Sequence, residues 1–309
     1  MSKTQDLREI FDPPDEIIQA GLNGELVLFV GAGASMLLEL PSWEGLATVA
    51  LGELRKKGLL NYSQIDQLKT LDPKKQLSIA CLIAEENSFN LDLEKYLTGK
   101  SEGDSIYKAI NDIGCPCVTT NYDELLAPRF IEHKDGSTTA ASIVRISERD
   151  RFYAKLLSEP GTVVHLHGAI SQPKTMIVTT KEYLEHYDHE NVQEFLSELF
   201  KKKTILFIGY GLEEAEILEH ILRRGSVKAT GDRRRFALQG FFRSQQPLYE
   251  NLHNYYEKSF GVHILGFIRD HENYKCLEKI VKAWANQIEV RKPPLANDAD
   301  YMDEVLGSD

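Results

Sequence analysis

Leu26-Val27-Leu28-Phe29-Val30 is an unbroken apolar run, and Thr204-Ile205-Leu206-Phe207-Ile208 repeats it about two-thirds of the way along the chain. Half-exposed strands alternate apolar with polar residues, whereas strands buried on both faces of a parallel sheet read as continuous runs. Each run leads straight into glycines, Gly31-Ala32-Gly33-Ala34-Ser35 after the first and Gly209-Tyr210-Gly211 after the second. Shorter strands are expected at Cys117–Thr120, Ser142–Ile146, Thr162–His167, Phe236–Phe242 and Val262–Phe267. Between them apolar residues return at helical spacing. Leu46, Val49, Ala50 and Leu54 follow an entry at Pro41-Ser42-Trp43-Glu44. Val192, Phe195, Leu196 and Leu199 form a second stripe, Ile217, Leu218, Ile221 and Leu222 a third, and Leu277, Ile280, Val281 and Trp284 a fourth. A helix starts at Asp12-Pro13-Pro14-Asp15 and closes at Gly21 and Gly24, and another runs from Pro247 to about Lys258. Helices are also expected at Glu124–Leu126 and through Phe152, Leu156 and Leu157, and an extended run at Lys174–Thr180.

Strands and helices thus alternate from Val27 onward, which predicts an α/β fold with a doubly wound, mostly parallel, Rossmann-like sheet. Residues 59–114 interrupt the alternation with helical pattern alone, too long for one crossover helix, and are expected to form a small inserted helical lobe. The domain is expected over 14–290. Residues 291–309 read as an acidic tail with Asp298, Asp300, Asp303 and Glu304, and its Tyr301, Met302, Val305 and Leu306 suit a docking peptide.

The 309 residues carry a formal net charge of −11, which argues against a nucleic-acid duplex as the main ligand. The basic runs Lys201-Lys202-Lys203 and Arg233-Arg234-Arg235 each abut an expected strand and read as solvated element ends. Cys81, Cys115, Cys117 and Cys276 form no C-x-x-C pair, and no secretory signal is seen. A reducing, cytoplasmic setting is therefore expected. No apolar run reaches the ~20 residues that span a bilayer, so no membrane partner is expected.

Ligands of doubly wound sheets bind outside the carboxyl ends of the strands, so the polar residues there are the candidates for chemistry. The bare backbone of Gly31–Ser35 can approach a pyrophosphate, though no third glycine completes a dinucleotide fingerprint and no Gly-Lys-Ser/Thr makes a P-loop. Asn121-Tyr122-Asp123 closes one strand. His165-Leu166-His167-Gly168 closes another, with the two imidazoles expected on one face because they are two residues apart. His186 and His189 lack further ligands and read as a solvated helix face, so no metal is expected.

In this order, Gly31-Ala32-Gly33-Ala34-Ser35, Thr119-Thr120-Asn121-Tyr122-Asp123, Leu166-His167-Gly168 and Gly209-Tyr210-Gly211 resemble the sirtuin superfamily. The likeness is to the bacterial sirtuin-like NAD hydrolases of phage-defence systems such as Thoeris. It implies NAD as substrate, with Gly31, Ala32, Gly33, Ala34 and Ser35 at the pyrophosphate. Thr119 belongs to the same binding set. Asn121 would stand by the nicotinamide ribose and Asp123 near the nicotinamide. Gly209, Tyr210 and Gly211 would line the adenosine side, and His167 would be the catalytic base, with His165 packing beside it. Protein-deacylating sirtuins carry two C-x-x-C pairs after the His-Gly. Here 168–204 contains no cysteine, so the zinc ribbon is absent, and Thr120 stands where deacylases have Gln. Both differences favour water as acceptor.

The resemblance therefore implies an NAD glycohydrolase that yields nicotinamide and ADP-ribose and acts as the effector of antiphage defence. The chain after Phe267 is short for a sensor domain, so regulation is expected from a homo-oligomer or from a HerA-type ATPase partner, because the chain resembles the sirtuin-like subunits of minimal layout that pair with such an ATPase. A non-catalytic NAD or ADP-ribose sensor is the alternative. A protein deacylase or ADP-ribosyltransferase is the least supported.

Overall fold

The computed structural model of the chain describes residues 6–98, 105–128, 131–134, 137–140, 143–224, 234–269 and 274–291. Its elements in chain order begin with α1 (Asp15–Leu22), β1 (Leu26–Val30), α2 (Ala32–Met36), α3 (Trp43–Lys56), α4 (Tyr62–Leu68), α5 (Pro73–Glu86) and α6 (Ile106–Ile113). Then come β2 (Cys117–Thr119), a hairpin of β3 (Ile131–Lys134) and β4 (Ser137–Ala140), β5 (Val144–Ile146) and β6 (Thr162–His165). The remainder is α7 (Thr180–Tyr187), α8 (Glu190–Lys202), β7 (Thr204–Ile208), α9 (Ala215–Arg224), β8 (Arg235–Phe241), α10 (Gln246–Phe260), β9 (His263–Ile268) and α11 (Lys275–Ala285).

Seven strands form one sheet in the order β5-β6-β2-β1-β7-β8-β9, and every neighbouring pair is parallel. β1 lies between β2 and β7, from which the chain winds outward in both directions. The strand order therefore reverses at the β1/β7 boundary, where the carboxyl ends open a crevice. Both apolar runs are buried along their whole length because the pleat sends alternate residues to opposite covered faces. Val27, Phe29, Ile205 and Phe207 face the layer of α8, α9 and α10, while Leu26, Leu28, Val30, Leu206 and Ile208 face α1, α6 and α11.

A third cluster stands apart from the sheet. Leu46, Ala47, Ala50, Leu51 and Leu54 of α3 pack with Ile65 of α4, Leu77, Ala80 and Ala84 of α5, and Leu93 and Leu97. The expected 59–114 insertion is thus divided in its packing. α3, which precedes it, belongs to the lobe core, and α6 leaves it for the sheet because Ile106, Ala109, Ile110 and Ile113 make a strongly one-sided apolar stripe.

Four local expectations are corrected. Glu124–Leu126 is not helical, since Asp123 Oδ1 takes the Leu125 N–H at 3.3 Å in an Asx-type turn and Asn111 Oδ1 takes the Ala127 N–H at 2.7 Å. The stretch through Phe152 and Leu157 forms two 3₁₀ turns. Lys174–Thr180 is a 3₁₀ turn leading to the Thr179 cap of α7, where Thr179 and Glu182 bond each other's backbone N–H groups. The short strand β5 begins at Val144, and Ser142, Arg233 and the tail beyond Arg291 lie outside the described residues. No helix among the described residues is long and apolar enough to cross a membrane.

Candidate functional site

The glycine loop is required first by the backbone that passes over it. A Cβ on Gly31 would lie 2.7 Å from Gly209 O, one on Gly33 2.8 Å from the same oxygen, and one on Gly209 2.4 Å from Ala34 N. Gly209 also has φ +63°, a left-handed conformation that side chains disfavour. Gly31 N–H donates to Ile208 O at 3.0 Å and Gly33 N–H to Gly209 O at 2.8 Å. The two loops at the β1/β7 boundary therefore meet as bare main chain. Gly211 is exposed, and Ala34 is buried beneath the loop.

Beside this seam, four side chains form one buried hydrogen-bonded group. Ser35 Oγ donates to Asp123 Oδ2 at 2.7 Å and lies 2.9 Å from the Tyr107 hydroxyl, which is 3.3 Å from the same carboxylate oxygen. Asn121 Nδ2 reaches Gly31 O at 3.1 Å, Ser35 Oγ at 2.9 Å and the Tyr107 hydroxyl at 3.2 Å. Those acceptors consume the amide's donors, so its oxygen is the group available to a ligand. Thr119 builds the turn that places Asn121: its hydroxyl donates to Val30 O at 2.8 Å and accepts the Asn121 N–H at 3.0 Å. Burial pushes the Asp123 carboxyl up, while the donors from Ser35, Leu125 and Tyr107 draw it back. Burial likewise pushes the Tyr107 phenol well up, so it remains a neutral donor.

Ser35, Asn121 and Asp123 of this group form one wall of a cleft at the strand carboxyl ends. Ala32 and Thr120 join Ser35, Asn121 and Asp123 on the sheet side, and Trp43, Leu46 and Leu97 close it from the helical lobe. The Trp43 ring stands edge-on to Tyr122 with centroids 5.7 Å apart, giving the cleft an aromatic end.

His165 and His167 do not share surroundings as expected. β6 ends at His165, and the chain then turns, with Gly168 N–H on His165 O at 3.1 Å, so the two-residue alternation no longer applies. His165 is fully buried and its Nδ1 lies 3.1 Å from Asn121 O, an oxygen that can only accept. The proton is therefore on Nδ1, and His165 holds the Asn121 backbone. Burial lowers its pKa, so it stays neutral.

His167 is also fully buried but belongs to a second group. Its Nε2 is 2.8 Å from the Tyr187 hydroxyl and its Nδ1 3.1 Å from the Tyr183 hydroxyl, both on α7. Burial first, then His186 and Lys74, hold its pKa well below the usual imidazole value, which keeps it neutral at pH 7. Glu214 Oε2 lies 3.6 Å from His167 Nε2 and accepts from Tyr187 at 3.5 Å. Burial beside Glu216 pushes the Glu214 carboxyl up to about 7, against the pull of Lys74 and Tyr187. The Tyr210 ring packs at 4.8 Å from Phe29 and 5.5 Å from Phe207, and its hydroxyl lies by Glu214 without a well-formed hydrogen bond.

The lobe holds α7 in place. Ser78 Oγ accepts the Thr180 N–H at 2.8 Å, and Lys74 Nζ lies 3.9 Å from the Tyr183 ring centroid while pairing with Glu216 at 3.3 Å. His186, expected on a solvated face, is instead 2% exposed, packed on Phe152 and Tyr187, and its pKa is lowered to about 4 by burial.

The site thus unites Ala32, Ser35, Asn121 and Asp123 around one cleft, with Thr119 buried behind Asn121, while Gly31, Gly33 and Gly209–Gly211 do not line it and His167 stands behind two tyrosines. Sequence reading passed over Tyr107, Tyr183, Tyr187 and Glu214. Tyr107 was detectable as the one hydroxyl on the apolar stripe of α6, and Glu214 as a carboxylate just past a strand-end glycine pair.

Residues 117–264 match the SIR2-like domain family. That span carries Thr119, Asn121, Asp123, His165, His167 and Gly209–Gly211, and the parallel sheet described above is the Rossmann-like arrangement of that fold. The chain is also similar to Defense-associated sirtuin 2 of Bacillus subtilis, 24% identical over 311 aligned residues. The alignment covers 94% of this chain and 28% of that protein, so the chain spans little more than a quarter of its relative's length. SIR2-like domains use NAD as substrate.

Proposed function

We propose that this chain is an NAD glycohydrolase that cleaves NAD to nicotinamide and ADP-ribose. The observation that carries the reading is the cleft at the strand carboxyl ends, where the Asn121 amide nitrogen is held by three acceptors, so that its oxygen would serve the ligand. Breaking the bond from ribose C1′ to nicotinamide builds positive charge on the ribose and releases a neutral base from a cationic one. No strong acid is needed. An oriented acceptor that holds water or a ribose hydroxyl against C1′, and a carboxylate nearby, are the groups that lower such a barrier. Asn121 supplies the first and Asp123 the second. Trp43 and Tyr122 offer an aromatic end suited to the flat nicotinamide ring.

His167 serves as the base in this reading. Its depressed pKa keeps it unprotonated and so able to accept a proton at pH 7. In this reading the Tyr183 and Tyr187 hydroxyls must release it before it can accept a proton. The resemblance and the relative's name, Defense-associated sirtuin 2, extend the proposal to a defence effector in bacteria, working as a homo-oligomer or with a HerA-type ATPase.

The test is NAD consumption by purified protein, alone and with the candidate ATPase, beside Asn121→Ala and His167→Ala. Free nicotinamide and ADP-ribose from the parent, reduced about 100-fold or more in both variants, is the expected result. NAD bound but intact under every condition would replace the hydrolase with a sensor.

A further inference from the structure

We propose that His253, Glu257 and His263 form a binding site for a divalent transition-metal cation of the zinc class. The site lies at the sheet edge, away from the cleft, and does not depend on the reaction proposed above. His253 and Glu257 are one turn apart on α10 and so share a face. Gly261 then ends the helix at φ +62°, its N–H returning to Glu257 O at 3.0 Å, and this turn brings His263, the first residue of β9, back against the same carboxylate.

His253 Nδ1 lies 3.0 Å from Ile264 O, a carbonyl that only accepts, so Nδ1 carries the proton and Nε2 presents its lone pair. Such a backbone bond is what orients metal-binding histidines and fixes their tautomer. That Nε2 faces Glu257 Oε2 at 3.3 Å, and His263 Nδ1 faces the other carboxylate oxygen, Oε1, at 3.7 Å. The two imidazole rings stand with centroids 4.5 Å apart and turn their nitrogens to the two oxygens of one carboxylate. A single divalent ion can take one ligand atom from each of the three side chains.

The spacing fits. Four-coordinate zinc with bonds of about 2.0–2.1 Å separates neighbouring ligand atoms by roughly 3.3 Å. The two measured edges are 3.3 and 3.7 Å, and all three ligand atoms lie within 4.8 Å of one another. Two imidazoles with one carboxylate suit zinc, cobalt or nickel and not magnesium or calcium. Glu257 and His263 keep 35% and 20% of their side-chain surface exposed, which gives the ion a route in and water the fourth position. Bound there, it would clip the last turn of α10 to the start of β9.

The full chain, stripped with EDTA and dialysed, is titrated with Co²⁺ while the visible d–d absorption is followed, then with Zn²⁺ as competitor and Mg²⁺ as control. The expected result is one equivalent of tetrahedral Co²⁺, displaced by Zn²⁺ and unaffected by Mg²⁺, with affinity lowered about tenfold or more in Glu257→Gln and in His263→Gln. Thermal melts in EDTA confirm that both variants fold, and Zn²⁺ raises the melting temperature of the parent alone. Absence of stoichiometric Co²⁺ binding to the parent, or binding that survives in the double variant, overturns the site.

Discussion

Glu214→Gln should make the protein more stable at high pH and leave it nearly unchanged at low pH. The folded state holds the Glu214 carboxyl at about 7 against an ordinary value of 4.5, because its side chain is 14% exposed and lies beside Glu216. Between those two values the folded chain keeps a proton that the unfolded chain has lost, so stability falls as pH rises through that window. At ~1.4 kcal/mol per unit, the loss amounts to roughly 3 kcal/mol by pH 8. Glutamine retains the oxygen that accepts from Tyr187 and cannot ionise, so the variant escapes that loss. Urea unfolding of both proteins at half-unit steps from pH 4.5 to 8 isolates the effect, since the constant cost of the substitution cancels in the slope. A stability difference that stays flat across the range would refute the raised carboxyl and with it the buried environment assigned to Glu214.

Three further outcomes follow from the same geometry. Gly209→Ala places a Cβ 2.4 Å from Ala34 N at φ +63°, and its cost is about 2–4 kcal/mol, read as a lowered urea midpoint. Tyr187→Phe leaves His167 Nε2 without its hydroxyl partner in a fully buried position, destabilising the fold by about 1–3 kcal/mol in the same assay. Ser35→Ala takes a donor from Asp123 and an acceptor from Asn121; NAD turnover should fall well below that of the parent while NAD affinity, measured by calorimetry, changes little.

The parallel sheet could be read from the chain because burial on both faces demands the continuous runs at Leu26–Val30 and Thr204–Ile208, and their five-residue length and the glycines that follow mark them as strands and not buried helix segments. The strand ends then pointed to Asn121 and Asp123, which line the cleft, whereas the glycines at those ends pack against each other beside it. What lay beyond reach came from side chains meeting across long separations. Tyr107 joins Ser35 and Asp123 from a different helix, and Tyr183 and Tyr187 enclose His167 from α7, with nothing local to mark either meeting. The shared face foreseen for His165 and His167 failed for a local reason, because alternation holds only while the strand lasts and this one stops at the first of the pair. The lobe boundary shifted because helical period says that a helix exists and not which neighbour receives its apolar stripe.

The meeting of Gly31, Gly33 and Gly209 as main chain alone has a consequence for how this scaffold can vary. A Cβ at any of the three would force β1 and β7 apart, so the seam is closed to change. The cleft beside it is lined by two other kinds of surface: the strand end at Asn121 and Asp123, and the lobe face of Trp43, Leu46 and Leu97. In the proposed hydrolase the strand end carries the reaction. The lobe face is then where ligand preference can change while the seam and the reacting groups stay as they are.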